Sequence, residues 1–218
     1  MTYKLSPSAI NIMEECPRCF WLTQHGVWKR PAGIFPSLPS GMDSILKIHF
    51  DKFMKKHELP PELCENKECK NLKLFDDEDK LKIWRSNFKG ISWKDEDGNE
   101  LHGAVDNILI KGKKLVVLDY KTRGFPLKED TAEHYRFQQN VYNFLLRKNG
   151  YDTEDFFFLL FYVPKEVTAT GEVIFDTQLV KMKVDVGSAE KTWQKALKML
   201  GESCPEKTCE WCVGVSSK

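Results

Sequence analysis

The chain has 218 residues, of which 41% are hydrophobic and 12% aromatic, and its formal charge at pH 7 is +1. A chain of this length and composition can bury a full core as one domain. The near-neutral charge excludes a global basic field, so contact with nucleic acid would rely on local groups of cationic side chains.

Apolar periodicity, together with start and stop signals, predicts five helices along the chain. They lie at Pro7 to Cys16, Met42 to His57, Asp76 to Phe88, Thr131 to Asn149 and Gly187 to Leu200. The proline-punctuated stretch Arg30 to Gly41 predicts a loop that either walls a substrate channel or connects two helices.

Runs of aliphatic, β-branched and aromatic residues predict the strands. A first hairpin begins at Ile91 and turns at Asp97-Gly98, and the later strands are Ala104 to Ile110, Leu115 to Lys121, Phe156 to Val163, and one or two within Glu172 to Val184. The pair Ala104 to Ile110 and Leu115 to Lys121 is apolar on both faces apart from its charged ends. We therefore expect an α/β fold in which a central mixed β-sheet is flanked by helices.

The turn of the second hairpin fixes the positions of two aspartates. If Gly112 and Lys113 are its central pair, the glycine occupies the first central position, where a type II′ turn needs a positive φ. Lys111 then pairs with Lys114, and the register places Asp106 directly opposite Asp119.

Such a pairing of carboxylates indicates a cation site. Directly paired residues on one face have Cβ atoms about 4.5 to 5.5 Å apart, a distance at which like charges are destabilising. A bound Mg²⁺ or Mn²⁺ would remove that conflict, and Lys121 lies on the same face as Asp119 because side chains alternate along a strand. Alternatively, Asp119 and Lys121 lie at a solvated strand end, where charges are common.

The helix from Thr131 to Asn149 places Gln138 and Tyr142 on one face, since residues four apart are neighbours on a helix. The pair either lines an active site beside Lys121 or belongs to an ordinary amphipathic helix with a half-buried tyrosine.

Three motifs, in order and approximate spacing, resemble the RecB-like branch of the PD-(D/E)XK nucleases, which includes CRISPR-associated RecB-like exonucleases. They are Gly103-Ala-Val-Asp106, Asp119-Tyr-Lys121 and Gln138-Gln-Asn-Val-Tyr142. Upstream, Gly41 to His49 is similar to that branch's helix with a metal-binding histidine. The resemblance implies a restriction-endonuclease-like core and a divalent-metal DNA nuclease.

The resemblance also implies the roles of the site residues. His49, Asp106, Asp119 and the backbone carbonyl of Tyr120 would bind the metal, and Lys121 would orient the attacking water and stabilise the developing charge. His57 and His102 are the alternatives to His49. Phosphodiester hydrolysis suits this set, because a hard cation held by carboxylates activates water and neutralises charge.

Seven cysteines in a chain with no signal-peptide pattern and no apolar stretch long enough to cross a bilayer predict a reducing cytoplasmic location without disulfides. Cys16-Pro-Arg-Cys19 and Cys209-Glu-Trp-Cys212 supply the four thiolates that a structural Zn²⁺ or an iron-sulfur cluster needs. Cys64 and Cys69 are predicted to be free thiols.

The segment Ser6 to Arg18 resembles the N-terminal cysteine segment of RecB-like nucleases with a [4Fe-4S] cluster, which favours that cluster over Zn²⁺. Those relatives take one ligand from the N-terminus and three from the C-terminus, so Cys204 is a reserve for Cys19. Either Zn²⁺ or an iron-sulfur cluster would join residues 1–40 and 200–218 into a metal-clipped subdomain. This subdomain would be part of a single nuclease domain over 1–218.

The predicted substrate is DNA, and the resemblance favours single-stranded DNA, in repair, recombination or CRISPR adaptation with partner proteins of those processes. Candidate cationic contacts are Lys29, Arg30, Arg123, Lys128 and Arg136, and Trp21, Trp28 and Phe35 are available to stack on unpaired bases. The alternative is a non-catalytic DNA-binding or assembly subunit whose cysteine site organises a docking surface. A third possibility is a zinc-clipped protein that acts on RNA or a nucleotide.

Overall fold

A computed structural model describes residues 1–217. The helices are α1 (Pro7–Glu15), α2 (Pro17–Gln24), α3 (Ser37–Met54), α4 (Pro61–Cys64), α5 (Glu78–Trp84), α6 (Arg136–Lys148) and α7 (Val186–Gly201), with 3-10 turns at Lys67–Cys69 and Thr131–Tyr135. The strands are β1 (Lys4–Leu5), β2 (Lys73–Leu74), β3 (Ile91–Lys94), β4 (Glu100–Gly103), β5 (Asn107–Lys111), β6 (Lys114–Thr122), β7 (Phe156–Val167) and β8 (Val173–Lys183). No helix among these residues is long and apolar enough to cross a membrane.

The strands form two mixed sheets flanked by helices, which confirms the predicted α/β class. The larger sheet has the order β2-β5-β6-β7-β8, in which β6 and β7 are parallel and the other pairs antiparallel. The smaller sheet has the order β1-β4-β3. The sequence pattern did not predict that these strands form a sheet of their own. Its first strand has only two residues, too few for a periodic signal.

The hairpin of β5 and β6 has the predicted two-residue turn and register. Lys111 pairs with Lys114, and Gly112 has the positive φ of 61° that a type II′ turn requires. The ladder ends at the pair Asn107 and Leu118, however, so Asp106 lies in a bend just before β5 and is not a paired strand residue. The predicted strand start at Ala104 was therefore wrong by three residues.

Helices α3 and α6 cover opposite faces of β6. The ring of Phe50 in α3 packs on the ring of Tyr120, with centroids 4.6 Å apart. The ammonium of Lys121 donates to Gln138 of α6. Because Tyr120 and Lys121 are consecutive strand residues, their side chains point to opposite faces. The central strand is thus covered on both sides, as its apolar composition predicted.

Most helices lie where the periodicity placed them, with ends shifted by a few residues. Helix α1 starts as predicted because Ser6 caps it by accepting a hydrogen bond from the N–H of Ala9. Helix α3 begins at Ser37, so the predicted loop over Arg30 to Gly41 is wrong in its second half. Helix α2, which begins at Pro17, was not predicted at all.

The small sheet packs against α6 at Gly103. A Cβ atom at this position would lie 2.6 Å from Cε1 of Tyr142, which is closer than carbon atoms can approach. Position 103 must therefore be glycine, because any larger residue would clash with the ring of Tyr142. This close contact fixes β4 against α6.

We expect Gly103→Ala to lower the free energy of unfolding by about 1 to 3 kcal/mol, because the ring of Tyr142 is 5% exposed and has little room to move. Urea denaturation measures this loss. Gly201→Ala is the matched control, since an added Cβ there meets no atom within 4 Å. An equal loss in both variants would contradict the packing argument.

Candidate active site and cysteine centre

Asp119 and Lys121 are adjacent on one face of β6 and contact each other. The ammonium of Lys121 lies against Oδ2 of Asp119 without the alignment of a hydrogen bond. Asp119 is only 2% exposed. The alternative of a solvated strand end is therefore wrong, and this carboxylate is held inside the protein.

Asp106 is held beside this pair by the backbone. Its Oδ2 accepts a hydrogen bond of 3.0 Å from the N–H of Tyr120. Its carbonyl oxygen accepts a 2.7 Å bond from Nε of Arg85 in the turn after α5. The carboxylates of Asp106 and Asp119 are thus neighbours at the point where β5 begins, although they are not a cross-strand pair.

The structure adds Asp43 and Lys47 of α3 to the cluster, two residues that sequence reasoning missed. Nζ of Lys47 lies 2.8 Å from Oδ2 of Asp43 and 3.2 Å from Oδ1 of Asp106. The two residues are four apart on the helix and so share a face. That spacing is common on helix surfaces, and the sequence alone gave no reason to single it out.

The electrostatics of the cluster show an excess of negative charge. The pKa of Asp119 is raised to about 6, mainly by burial and also by the charge of Asp106, although Lys121 opposes the shift. Burial and Asp106 likewise raise the pKa of Asp43. Burial would lower the pKa of Lys47 and of Lys121, but the neighbouring carboxylates outweigh it and raise both. The cluster contains three carboxylates and two ammonium groups, and a further cation would balance the remaining negative charge.

Helix α6 brings Gln138 and Tyr142 to the same site. Oε1 of Gln138 accepts a 3.3 Å hydrogen bond from Lys121. Both residues line a cleft of about 300 Å³ that also contains Ser6, Ser8 and His102. Burial, and then the charges of Asp119 and Asp106, raise the pKa of Tyr142, so its phenol stays protonated.

The neighbouring Gln139 was not singled out by the sequence. Its side chain is fully buried beside the Asp119 carboxylate, and neither its Oε1 nor its Nε2 has a well-aligned hydrogen bond. Such orphaned polar atoms are rare in protein interiors, and here they adjoin the charged cluster.

His49 pairs with a carboxylate other than the predicted aspartates. Its Nε2 lies 3.1 Å from Oε1 of Glu62, which also accepts a hydrogen bond from the hydroxyl of Tyr162. His49 is two residues from Lys47, or about 200° around the helix, and so leaves the face that meets Asp106. His57 and His102 were the alternatives to His49. His57 lies in the turn after α3 and has a φ of 57°, and His102 lines the cleft beside Gln138 and Tyr142.

The three predicted DNA-binding arginines lie in three different places. Arg30 pairs with Glu15 and stacks on the ring of Trp211. Arg136 pairs with Glu133, whereas Arg123 directly follows β6 and lines an apolar groove. The groove of about 320 Å³ is shared by α3 and the β7–β8 hairpin, and its other residues are Leu38, Pro39, Met42, Thr122, Gly124, Pro164, Val173 and Phe175.

The four predicted cysteine ligands meet at one point. The sulfur atoms of Cys16, Cys19, Cys209 and Cys212 all lie within 4.8 Å of one another. Within residues 1–217, they form the one group of three or more potential metal ligands that is this compact. Cys204 stands apart, where its sulfur accepts a 3.3 Å bond from Arg18. Cys64 is exposed and Cys69 is buried, and both are free.

The burial of Asp119 has a measurable consequence in metal-free protein. Folding raises the pKa of Asp119 from 3.8 to about 6, so the folded protein favours the protonated carboxyl. The free energy of unfolding is therefore higher at low pH and falls as the pH rises through this range. Between about pH 4 and pH 6.5, the wild type should therefore lose about 2 kcal/mol of unfolding free energy relative to Asp119→Asn. Urea denaturation in chelator measures the difference.

The matched control for that experiment is Asp176→Asn, because Asp176 is exposed in β8 and pairs with Lys165 at the surface. Its stability difference from the wild type should change little over the same pH range. A flat difference for Asp119→Asn would show that its carboxyl ionises normally.

Comparison with known proteins identifies the family of this chain. None of the curated proteins compared with this chain matches it. The family model described as the PD-(D/E)XK nuclease superfamily matches residues 4–213, a range that contains the charged cluster and all four cysteines of the second centre. The chain therefore belongs to the PD-(D/E)XK nuclease superfamily.

Proposed function

We propose that this protein is a metal-dependent deoxyribonuclease, in which Asp106, Asp119 and Lys121 carry out phosphodiester hydrolysis with Mg²⁺ or Mn²⁺. The observation that carries this proposal is the buried carboxylate of Asp119 beside Asp106 and Lys121. Membership of the nuclease superfamily supports it independently.

The residues present fit a hard divalent cation. Asp106, Asp119 and the carbonyl of Tyr120 offer oxygen ligands, which Mg²⁺ and Mn²⁺ prefer. We assign the contribution of α3 to Asp43 in place of His49, because Asp43 shares Lys47 with Asp106 while His49 lies with Glu62. A cation would also neutralise the excess charge of three carboxylates over two ammonium groups.

A divalent ion supplies Lewis acidity toward a phosphate oxygen and activates water when bound. The chain's own contribution is positional. Lys121 is held by Asp119 and Gln138, with its ammonium 4.7 Å from the centre of the Tyr135 ring. An ammonium fixed in this way can donate to a phosphate oxygen as negative charge develops, without reorganising during the reaction. The amide of Tyr120 keeps the Asp106 carboxylate in place.

Single-stranded DNA is the substrate that the surroundings favour. The apolar groove begins at Thr122 and Arg123, one residue after Lys121, and includes Met42, which precedes Asp43. Its apolar walls suit the faces of unpaired bases, which a duplex keeps stacked inside. Phe35 and Phe125 are 71% and 78% exposed and are available for stacking. Processing of DNA in repair, recombination or CRISPR adaptation is the setting that the resemblance suggests.

Activity is tested with end-labelled single-stranded and duplex DNA in Mg²⁺, Mn²⁺ or chelator. We expect divalent-ion-dependent cleavage, faster on the single strand. Asp119→Asn and Lys121→Ala should each lower kcat/KM by about 100-fold or more, because the first removes a carboxylate that would hold the metal and the second removes the ammonium that would stabilise the developing negative charge. Circular dichroism checks that the variants remain folded.

The matched controls are Asp176→Asn and Lys165→Ala. They alter an aspartate-lysine pair on the same sheet, but at the surface, where both side chains are more than half exposed. They should cleave like the wild type. If the wild type leaves DNA intact with every divalent ion, the non-catalytic DNA-binding or assembly subunit becomes the better account.

The assignment of Asp43 is tested by Mn²⁺ titration in a calorimeter without substrate. Asp43→Asn should weaken Mn²⁺ binding by about tenfold or more, as expected when a metal site loses a carboxylate or its support. His49→Gln should bind Mn²⁺ like the wild type. The opposite pattern would restore the histidine as the ligand from α3.

A further inference from the structure

The spacing of the four clustered sulfur atoms identifies the kind of metal centre they suit. The Sγ atoms of Cys16 and Cys212 are 3.8 Å apart, and those of Cys19 and Cys209 are 3.5 Å apart. The two sulfurs of the C-terminal pair, Cys209 and Cys212, are also 3.8 Å apart. All four atoms lie within 4.8 Å of one another.

These distances match the edges of a tetrahedron around a single ion. A Zn²⁺ ion with four thiolates at about 2.3 Å places neighbouring sulfurs about 3.8 Å apart. A four-iron cluster binds each thiolate to a different iron, so its ligands stand at separate corners and further from each other. The sulfurs here are too close together for such a cluster to fit between them.

The backbone around the C-terminal pair supports a thiolate site. The N–H of Cys209 donates to the sulfur of Cys212 at 3.3 Å, and the N–H of Val213 donates to the carbonyl of Cys209 at 3.0 Å. This tight turn points both sulfurs toward Cys16 and Cys19. The cysteines pack with Leu22 in a small cluster that is separate from the main core.

Cys204 has a different partner. The guanidinium of Arg18 donates to its sulfur and also to the carbonyl oxygens of Pro205 and Val215, the latter two at 2.8 Å. Arg18 thus ties both sides of the C-terminal segment to α2, and Cys204 serves in that contact. The ligand set therefore takes two cysteines from each end of the chain.

We infer that Cys16, Cys19, Cys209 and Cys212 bind one Zn²⁺ ion in a tetrahedral structural site, in place of the [4Fe-4S] cluster that the sequence resemblance favours. The site stabilises the fold, because metal binding at a centre made from distant segments contributes folding free energy. It anchors the end of α1, whose first turn lines the cleft beside Gln138. This inference does not depend on nuclease activity.

The test is metal analysis of protein expressed with both iron and zinc available and purified without oxygen or chelator. We expect one zinc ion per chain, no acid-labile sulfide and no visible absorbance. Zinc X-ray absorption of the wild type should show four sulfur neighbours at about 2.3 Å. Iron accompanied by acid-labile sulfide, or a zinc shell containing oxygen or nitrogen, would overturn the inference.

Variants separate this centre from the active site. Cys16→Ser and the less buried Cys209→Ser should lose the bound zinc, whereas Asp119→Asn should retain it. Cys64→Ser and Cys204→Ser are the matched cysteine controls and should each retain one zinc ion. Zinc that persists in Cys209→Ser but disappears in Cys204→Ser would show that the ligand set is wrong.

Discussion

Asp119 is 2% exposed and lies on a strand whose preceding residues, Leu115 to Leu118, are all aliphatic. A buried charge is costly unless other groups compensate it, and β6 lies between β5 and β7 with a helix on each face. Water therefore has little access to Asp119. Lys121 supplies one compensating charge from the same strand, and Asp106 adds a competing negative charge. The geometry of the candidate site follows from this balance.

Compensation requires elements from both sides of the sheet. Helix α6 covers the face of Asp119 and Lys121 and contributes Gln138, while α3 covers the opposite face. Asp106 lies just before β5, outside the paired strands. There Lys47 of α3 contacts both Asp106 and Asp43. A helix presents a given face only every three or four residues, so the same helix directs His49 to Glu62. Residues from four segments thus share one charged cluster.

The four clustered cysteines offer different chemistry from the charged cluster. Soft thiolates suit zinc or iron, whereas the hard carboxylates of the charged cluster suit Mg²⁺ or Mn²⁺, so the two groups of side chains favour different metals. Cys16 ends α1, and the residues that begin this helix, Ser6 to Ser8, line the cleft that also contains Gln138 and Tyr142. A metal ion held by the four cysteines would therefore fix one wall of the cleft from a distance.

The sequence by itself determined the local features. Alternation and turn chemistry gave the hairpin register through Gly112, and C-x-x-C spacing gave the four cysteines, because both depend on neighbours in the chain. The resemblance of the three motifs to a nuclease family predicted Asp106, Asp119, Lys121 and Gln138 as site residues, and the structure places them close together. Only the tertiary structure decided that Lys47 links Asp43 to Asp106, that His49 pairs with Glu62 and Cys204 with Arg18, and that the four sulfurs lie within 4.8 Å of one another. These depend on how helices and chain ends pack across the sheet, and no local pattern encodes that packing.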